Sequence, residues 1–145
     1  MFNIYVQRQI NKNINDVFAQ LSNHAAYDQF KGVDAAALLE RGSETPNGLG
    51  ALREIRAGKS VLHERIVAYE PPNLLAYKIE YSKPLPYKHE LGEIRLEENE
   101  QGTLVTWRSK GIIAIPILGP LYFDKQIEKF GARAFGSILK TIDTR

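Results

Sequence analysis

The chain has 145 residues, 43% apolar and 25% charged, and its 19 Lys and Arg against 17 Asp and Glu leave a net charge of +2. That is enough chain to bury a core without staples, and the charge balance gives no reason to expect nucleic acid or an anionic membrane as partner. It contains no cysteine, which excludes disulfides, thiolate metal sites, cysteine nucleophiles and iron–sulfur clusters.

Phe2 to Ile10 alternates Phe2, Ile4 and Val6 against Asn3, Tyr5 and Gln7, which predicts a first strand with one buried face. Asn13 then caps a short helix with Val17, Phe18 and Leu21 on its buried side, and Asp16 completes a weak capping box. Ser22-Asn23 ends that helix and can cap a second one carrying Tyr27 and Phe30. Val33 to Arg41 reads as a strand, although its Ala run also suits a helix, and Gly42 to Gly50 as a loop rich in Ser, Thr, Pro, Asn and Gly. Strand-like runs follow at 51–57, 60–69, 74–82, 88–98 and 103–110, with turn residues between them. Short strands joined by short turns predict an antiparallel meander.

From Pro120 the period changes. Phe123, Ile127, Gly131, Ala134, Phe135, Ile138, Leu139 and Ile142 fall on one helical stripe, which predicts a long C-terminal helix over about 120 to 142. The order of elements is an α+β layout: one antiparallel sheet of six to seven strands with its helices on one face, in a single domain spanning 1–145. No basic and apolar leader opens the sequence, and the apolar stretch 111–123 is shorter than the roughly 20 residues of a membrane span. The expectation is a cytoplasmic protein with no integral membrane segment.

The turns assign faces. A two-residue turn at Gly58-Lys59 pairs Ala57 with Ser60, so Ile55 faces Leu62, Arg53 faces Glu64 and Ala51 faces Ile66. That face is the apolar one, so Arg53 and Glu64 point inward, while Glu54 and His63 point to solvent. A charge on a buried face is costly unless paired, and an Arg–carboxylate couple offsets part of that cost. Such a couple either fixes the strand register or orients a polar group of a ligand. A four-residue loop at Glu70-Pro71-Pro72-Asn73 sets Ala68 against Leu75, Ile66 against Tyr77 and Glu64 against Ile79, with Tyr81 on the same side. Tyr77 and Tyr81 then offer polar handles in an apolar surrounding. The last hairpin sets Leu96 against Val105, Ile94 against Trp107 and Gly92 against Ser109. Trp107 is either a core anchor or a stacking surface, and Gly92 leaves space above Ser109. Lys83, Lys88 and Arg95, among Tyr81, Tyr87 and Glu93, read as a solvated face.

A helix of about 22 residues is roughly 33 Å long, against roughly 23 Å for a strand of about 7 residues. Beneath such a helix a twisted sheet leaves a wedge for side chains or a ligand. Gly131 and Gly136 on the helix either make room for that ligand or allow close packing on the sheet. The apolar residues of 111–123 are too many for a simple connection and suggest a lid, a homodimer patch or a membrane-touching loop.

Asn13-Ile14-Asn15-Asp16-Val17-Phe18, Gly48-Leu49-Gly50-Ala51-Leu52-Arg53, His63-Glu64-Arg65-Ile66-Val67-Ala68-Tyr69-Glu70-Pro71-Pro72, Leu75-Ala76-Tyr77 and Gly102-Thr103-Leu104-Val105-Thr106-Trp107 follow one another in a recognisable order. That order resembles the START-like (SRPBCC) helix-grip superfamily, and within it the family named for polyketide cyclases and dehydratases. The resemblance covers nearly the whole chain. It implies a curved sheet gripping the long helix around a cavity for apolar or amphipathic small molecules.

No motif calls for a cofactor or a metal: His24, His63 and His89 have no zinc spacing, and no phosphate loop or nucleophile elbow occurs. The first reading is a binder of a small hydrophobic or aromatic molecule, with Arg53, Glu64, Tyr77, Tyr81, Trp107, Ser109 and Phe135 as ligand-binding candidates. A second is an enzyme of the cyclase or dehydratase type acting on a polyketide-like or other carbonyl substrate. Its catalytic candidates are Glu64 as general acid or base and Arg53 or a tyrosine as enolate stabiliser. A third is a chaperone-like or partner-binding module using the apolar 111–123 segment.

Overall fold

The computed structural model describes residues 1–145. β1 (Phe2–Ile10) leads into α1 (Ile14–Ser22) and a short 3₁₀ helix (His24–Gln29). Next come β2 (Ala35–Glu40), β3 (Leu52–Ala57), β4 (Ser60–Glu70), β5 (Leu74–Lys83), β6 (Tyr87–Asn99) and β7 (Gly102–Ile113). A single π turn (Gly119–Phe123) then opens α2 (Asp124–Thr144). The seven strands form one antiparallel sheet in the order β1-β7-β6-β5-β4-β3-β2.

Local chemistry explains the helix ends. Asn13 is extended, and its side chain accepts a hydrogen bond from the Asn15 N–H at 2.8 Å, so α1 starts where expected. Ile14, Val17, Phe18 and Leu21 form its buried side. The Asn23 side chain makes no cap, and the segment after it closes as 3₁₀ turns with His24 and Tyr27 buried. The regular part of α2 begins at Asp124, a little later than the apolar stripe suggests. Asp124 is buried there, and its Oδ1 accepts the Ile113 N–H at 2.8 Å, tying the helix start to the end of β7. At the other end Arg8 on β1 pairs with Asp143 at 2.8 Å.

α2 is packed unevenly. Ile138, Leu139 and Ile142 in its C-terminal half are buried with α1 residues against Leu75, Ile94, Leu96 and Val105 of the sheet. Its N-terminal half leans on β1 instead, where a Cβ at Gly131 would collide with Ile4 Cδ1. Close packing is therefore what Gly131 permits, whereas nothing lies within 4 Å of a Cβ at Gly136. α2 packs chiefly on β1, and the inner faces of β3, β4 and β5 stand off from it.

Four bulges bend the sheet and switch faces. They insert Val67 in β4, Glu80 in β5, Glu90 in β6 and Leu39 in β2, between the register pairs that flank each. The first sets Ala68 opposite Ala76 and Tyr69 opposite Leu75, so the expected pairing of Ala68 with Leu75 is corrected. The Arg53–Glu64, Ile55–Leu62, Ile66–Tyr77, Glu64–Ile79, Ile94–Trp107 and Gly92–Ser109 pairs all stand as predicted.

Candidate functional site

Between α2 and the inner face of β3, β4 and β5 lie two adjoining chambers. The outer one, about 570 Å³, lies between Tyr27, Val33 and Ile55 on one side and Ala134, Ser137 and Ile138 of α2 on the other. The inner one, about 340 Å³, reaches toward β1 and is walled by Phe2, Ile4, Ile79, Ile127, Phe130 and Phe135. Ala57, Leu62, Glu64, Tyr77 and Ala134 line both.

Arg53 is the centre of the outer chamber's wall, with only 1% of its surface exposed. The β3–β4 hairpin sets it opposite Glu64, and its Nε donates to Glu64 Oε1 at 2.7 Å. Its Nη1 donates to His24 Nδ1 at 3.2 Å. The guanidinium lies between two aromatic faces, 4.7 Å from the Tyr27 ring centroid and 5.0 Å from that of Tyr77. Burial works against its charge, but Glu64 and the two tyrosines outweigh that cost, and the pKa is raised. His24 completes the network: its Nε2 donates to the Asn47 carbonyl at 2.9 Å. Burial first, and then the charge of Arg53, push its pKa down to about 3, so the ring is neutral. The second Glu64 oxygen, Oε2, has no partner in the protein and belongs to the wall shared by the chambers.

Tyr77 is held from three sides. Trp107 Nε1 donates to its hydroxyl at 2.9 Å, and the His89 ring stacks on it at 5.7 Å between centroids. A Cβ at Gly92 would overlap its ring, so the glycine opposite Ser109 makes room for this tyrosine. Trp107 is buried and stacked face to face on Phe135 at 4.1 Å, which joins the sheet to α2. Burial raises the pKa of both Tyr27 and Tyr77, so each stays a neutral phenol.

A family profile described as polyketide cyclase / dehydrase and lipid transport matches residues 1–142. The chain belongs to this cyclase/dehydrase and lipid transport family. No curated protein matches it in sequence. Among solved structures it superposes on a START superfamily protein from Mycobacterium smegmatis with a TM-score of 0.79 and 10% identity, over 100% of this chain and 97% of that one. TTHA0849 from Thermus thermophilus gives 0.74 and 17%, over 98% and 94%. The di-domain ARO/CYC StfQ from the steffimycin biosynthetic pathway gives 0.79 and 15%, over 98% of this chain and 49% of that larger one. Identities this low carry the fold alone, and that fold is the helix grip. A helix-grip chain of the cyclase/dehydrase and lipid transport family is a ligand-binding or cyclase/dehydrase module.

Within this member of the family, the structure gathers Arg53, Glu64, Tyr77 and Trp107 around the outer chamber and Glu64, Tyr77, Ser109 and Phe135 around the inner one. Tyr81 is a correction. The Glu80 bulge turns it to the outer face opposite His63, where it packs tilted against that ring at 4.8 Å between centroids and is 47% exposed. The opposite correction applies to Tyr87, placed by the sequence on a solvated face. The Glu90 bulge turns Tyr87 and His89 inward, opposite Ile113 and Gly111, and Tyr87 lines the inner chamber.

The 111–123 segment is not a lid, because none of its residues lines either chamber. β7 runs on to Ile113, and Ile113, Ile115 and Phe123 build a small second core with Phe2, Ile4, Leu85 and Tyr87. Ile117, Leu118, Leu121 and Tyr122 are left exposed. His24 and Tyr27 escaped the sequence as partners of Arg53, since nothing local marks contacts between residues so far apart in the chain. No helix is long and apolar enough to cross a membrane.

Proposed function

We propose that the protein binds a small hydrophobic or aromatic molecule in the cavity between its sheet and α2, with Arg53, Glu64, Tyr77, Trp107, Ser109 and Phe135 forming the site. The observation that carries this reading is the outer chamber of about 570 Å³, apolar on most of its wall and backed by a buried, ion-paired Arg53. Pockets of this size, with few and fixed polar groups, suit drug-sized ligands. The aromatic rings around Arg53 and the Trp107–Phe135 stack favour a flat, unsaturated occupant. Native mass spectrometry of freshly purified protein, and melting temperature against a panel of aromatic ligands, test it. A ligand at about a hundred times its Kd stabilises the fold by about 2.7 kcal/mol. Ala134→Trp, which fills the junction of the chambers, abolishes that shift if the cavity is the site. Retention of the shift in that variant overturns the assignment.

One observation supports an enzyme as the second reading. Glu64 Oε2 faces the junction without a partner, in reach of a bound molecule, while Oε1 is held by Arg53. A carboxylate so placed can take a proton next to a ligand carbonyl. Turnover of a carbonyl substrate that survives in Glu64→Gln removes Glu64 from any such mechanism.

A further inference from the structure

The inner chamber contains an arrangement that ligand binding in the outer chamber does not use. β5 and β6 pair only over Leu74–Tyr77 and Gly92–Arg95, and beyond that the strands part. The His89 side chain fills the gap. Its Nδ1 accepts the backbone N–H of Ile79 at 3.0 Å, and its Nε2 lies 2.8 Å from Ser109 Oγ.

A backbone N–H only donates, so Nδ1 carries no proton. Burial, and then the charge of Lys78, hold the ring pKa near about 4, so the ring is neutral and its single proton is on Nε2. Nε2–H therefore donates to Ser109 Oγ. Ser109 is buried, and its own hydroxyl hydrogen has no acceptor in the protein. The chamber that Ser109 lines is where that hydrogen is free to point.

Two more polar groups look into the same space. Tyr87 has no hydrogen-bond partner for its hydroxyl, and burial, then the charge of Glu64, push its pKa up to about 12. Glu64 Oε2 is unpartnered as described. Ser60, at the exposed β3–β4 turn, completes the polar lining. The remaining wall is hydrocarbon and aromatic. Each of these groups keeps an unused donor or acceptor toward the chamber, so an occupant that supplies the matching group gains a hydrogen bond there. An anion in this chamber would face the Glu64 carboxylate at low dielectric, with the Arg53 charge already paired.

We propose that Ser109, fixed as a donor by His89, is a specificity-determining residue, and that the inner chamber selects the neutral end of a ligand carrying both a carbonyl and a hydroxyl. The carbonyl accepts from Ser109, and the hydroxyl donates to Glu64 Oε2. This rests on the cavity being a ligand site.

Four probes of one size test it by titration: hydroxynaphthyl methyl ketone, naphthyl methyl ketone without the hydroxyl, naphthol without the ketone, and hydroxynaphthoate. The hydroxyketone binds about tenfold tighter than either single-group probe, and hydroxynaphthoate binds weakest. Ser109→Ala brings the hydroxyketone down to the level of naphthol and leaves naphthol itself unchanged. The infrared carbonyl band of the bound ketone, moved to lower frequency by the Ser109 hydrogen bond, returns toward its free position in that variant. An unmoved band, an unchanged affinity ratio in Ser109→Ala, or tightest binding of the anion overturns the proposal. Equal binding of all four probes overturns the selectivity and leaves the ligand site standing. Binding of none of them, with no melting shift from any ligand, removes both.

Discussion

The two chambers share a wall and differ in how their polar groups are bonded. In the outer one, Arg53 is held by Glu64, His24 and two aromatic faces, and His24 in turn by the Asn47 carbonyl. In the inner one, Ser109, Tyr87 and the second oxygen of Glu64 are each left with an unmatched donor or acceptor. A closed network of buried polar groups stiffens the wall that contains it, because every rearrangement breaks a bond in low dielectric. An open set does the reverse and makes the occupied state the satisfied one. One face of one sheet thus carries a brace beside a reading head, with Glu64 contributing one oxygen to each.

If the outer network is a brace, breaking it carries the largest cost in the molecule. Arg53→Met leaves Glu64 buried without its partner, and the fold loses about 3–5 kcal/mol, read by urea unfolding. The double variant Arg53→Met/Glu64→Leu recovers much of that loss, since two apolar side chains do not need each other's charge. A single variant costing less than about 1 kcal/mol would mean that Arg53 is solvated and the comparison is wrong.

Acid probes both chambers at once, because a neutral histidine stands behind the wall of each, His24 on Arg53 and His89 on Ser109. The folded pKa of His24 is about 3 and that of His89 about 4, both below the ordinary histidine value of 6.5. Unfolding therefore takes up protons below about pH 6.5, and stability that is present above that pH is lost as the pH falls through the folded values. Between pH 7 and pH 5.5 the loss is roughly 1 kcal/mol for each histidine. The depressed carboxyls of Glu54 and Asp143 add their share only below the ordinary carboxylate range. Urea unfolding at the two pH values measures the slope, and His89→Gln halves it. A flat profile would mean that both rings reach water.

Gly92 tests the joint between the chambers. A methyl there overlaps the Tyr77 ring, so Gly92→Ala costs about 1–3 kcal/mol and displaces Tyr77 from both cavities. Trp107 donates to the Tyr77 hydroxyl, and its fluorescence reports the shift directly. An unmoved emission with unchanged stability would show that Tyr77 is loosely held.

Where the sequence was legible, strict alternation held. The Gly58-Lys59 turn and the Asn99–Gly102 turn lead into regular ladders, and there Arg53, Glu64, Trp107 and Ser109 were placed on the inner face from residue order alone. Parity failed only across bulges. Glu80 sent Tyr81 out, Glu90 brought Tyr87 and His89 in, and Val67 exchanged Ala68 for Tyr69. A bulge is one extra residue with no composition mark of its own here, and every assignment beyond it inverts. Of the polar groups of the inner chamber, Glu64 and Ser109 were legible, whereas Tyr87 and the His89 that fixes Ser109 lie past such a bulge and were not. The space expected at Gly92 is filled by the Tyr77 ring.

Ser109→Ala is the smallest perturbation of the fold and the sharpest test of the comparison. The Ser109 hydroxyl gives its hydrogen to nothing in the protein, so the variant loses only the acceptor for His89 Nε2–H, at about 1 kcal/mol. Arg53→Met should damage folding and binding together, because a brace supports both. Ser109→Ala should lower the melting temperature by only a few degrees, as about 1 kcal/mol does, and lower hydroxyketone affinity about tenfold, a change of about 1.4 kcal/mol in binding. A residue whose removal is felt more by the ligand than by the fold is one whose bonding capacity the protein holds in reserve. If Ser109→Ala instead weakens the fold as much as Arg53→Met does, the inner chamber is a second brace, and the difference between the two halves disappears.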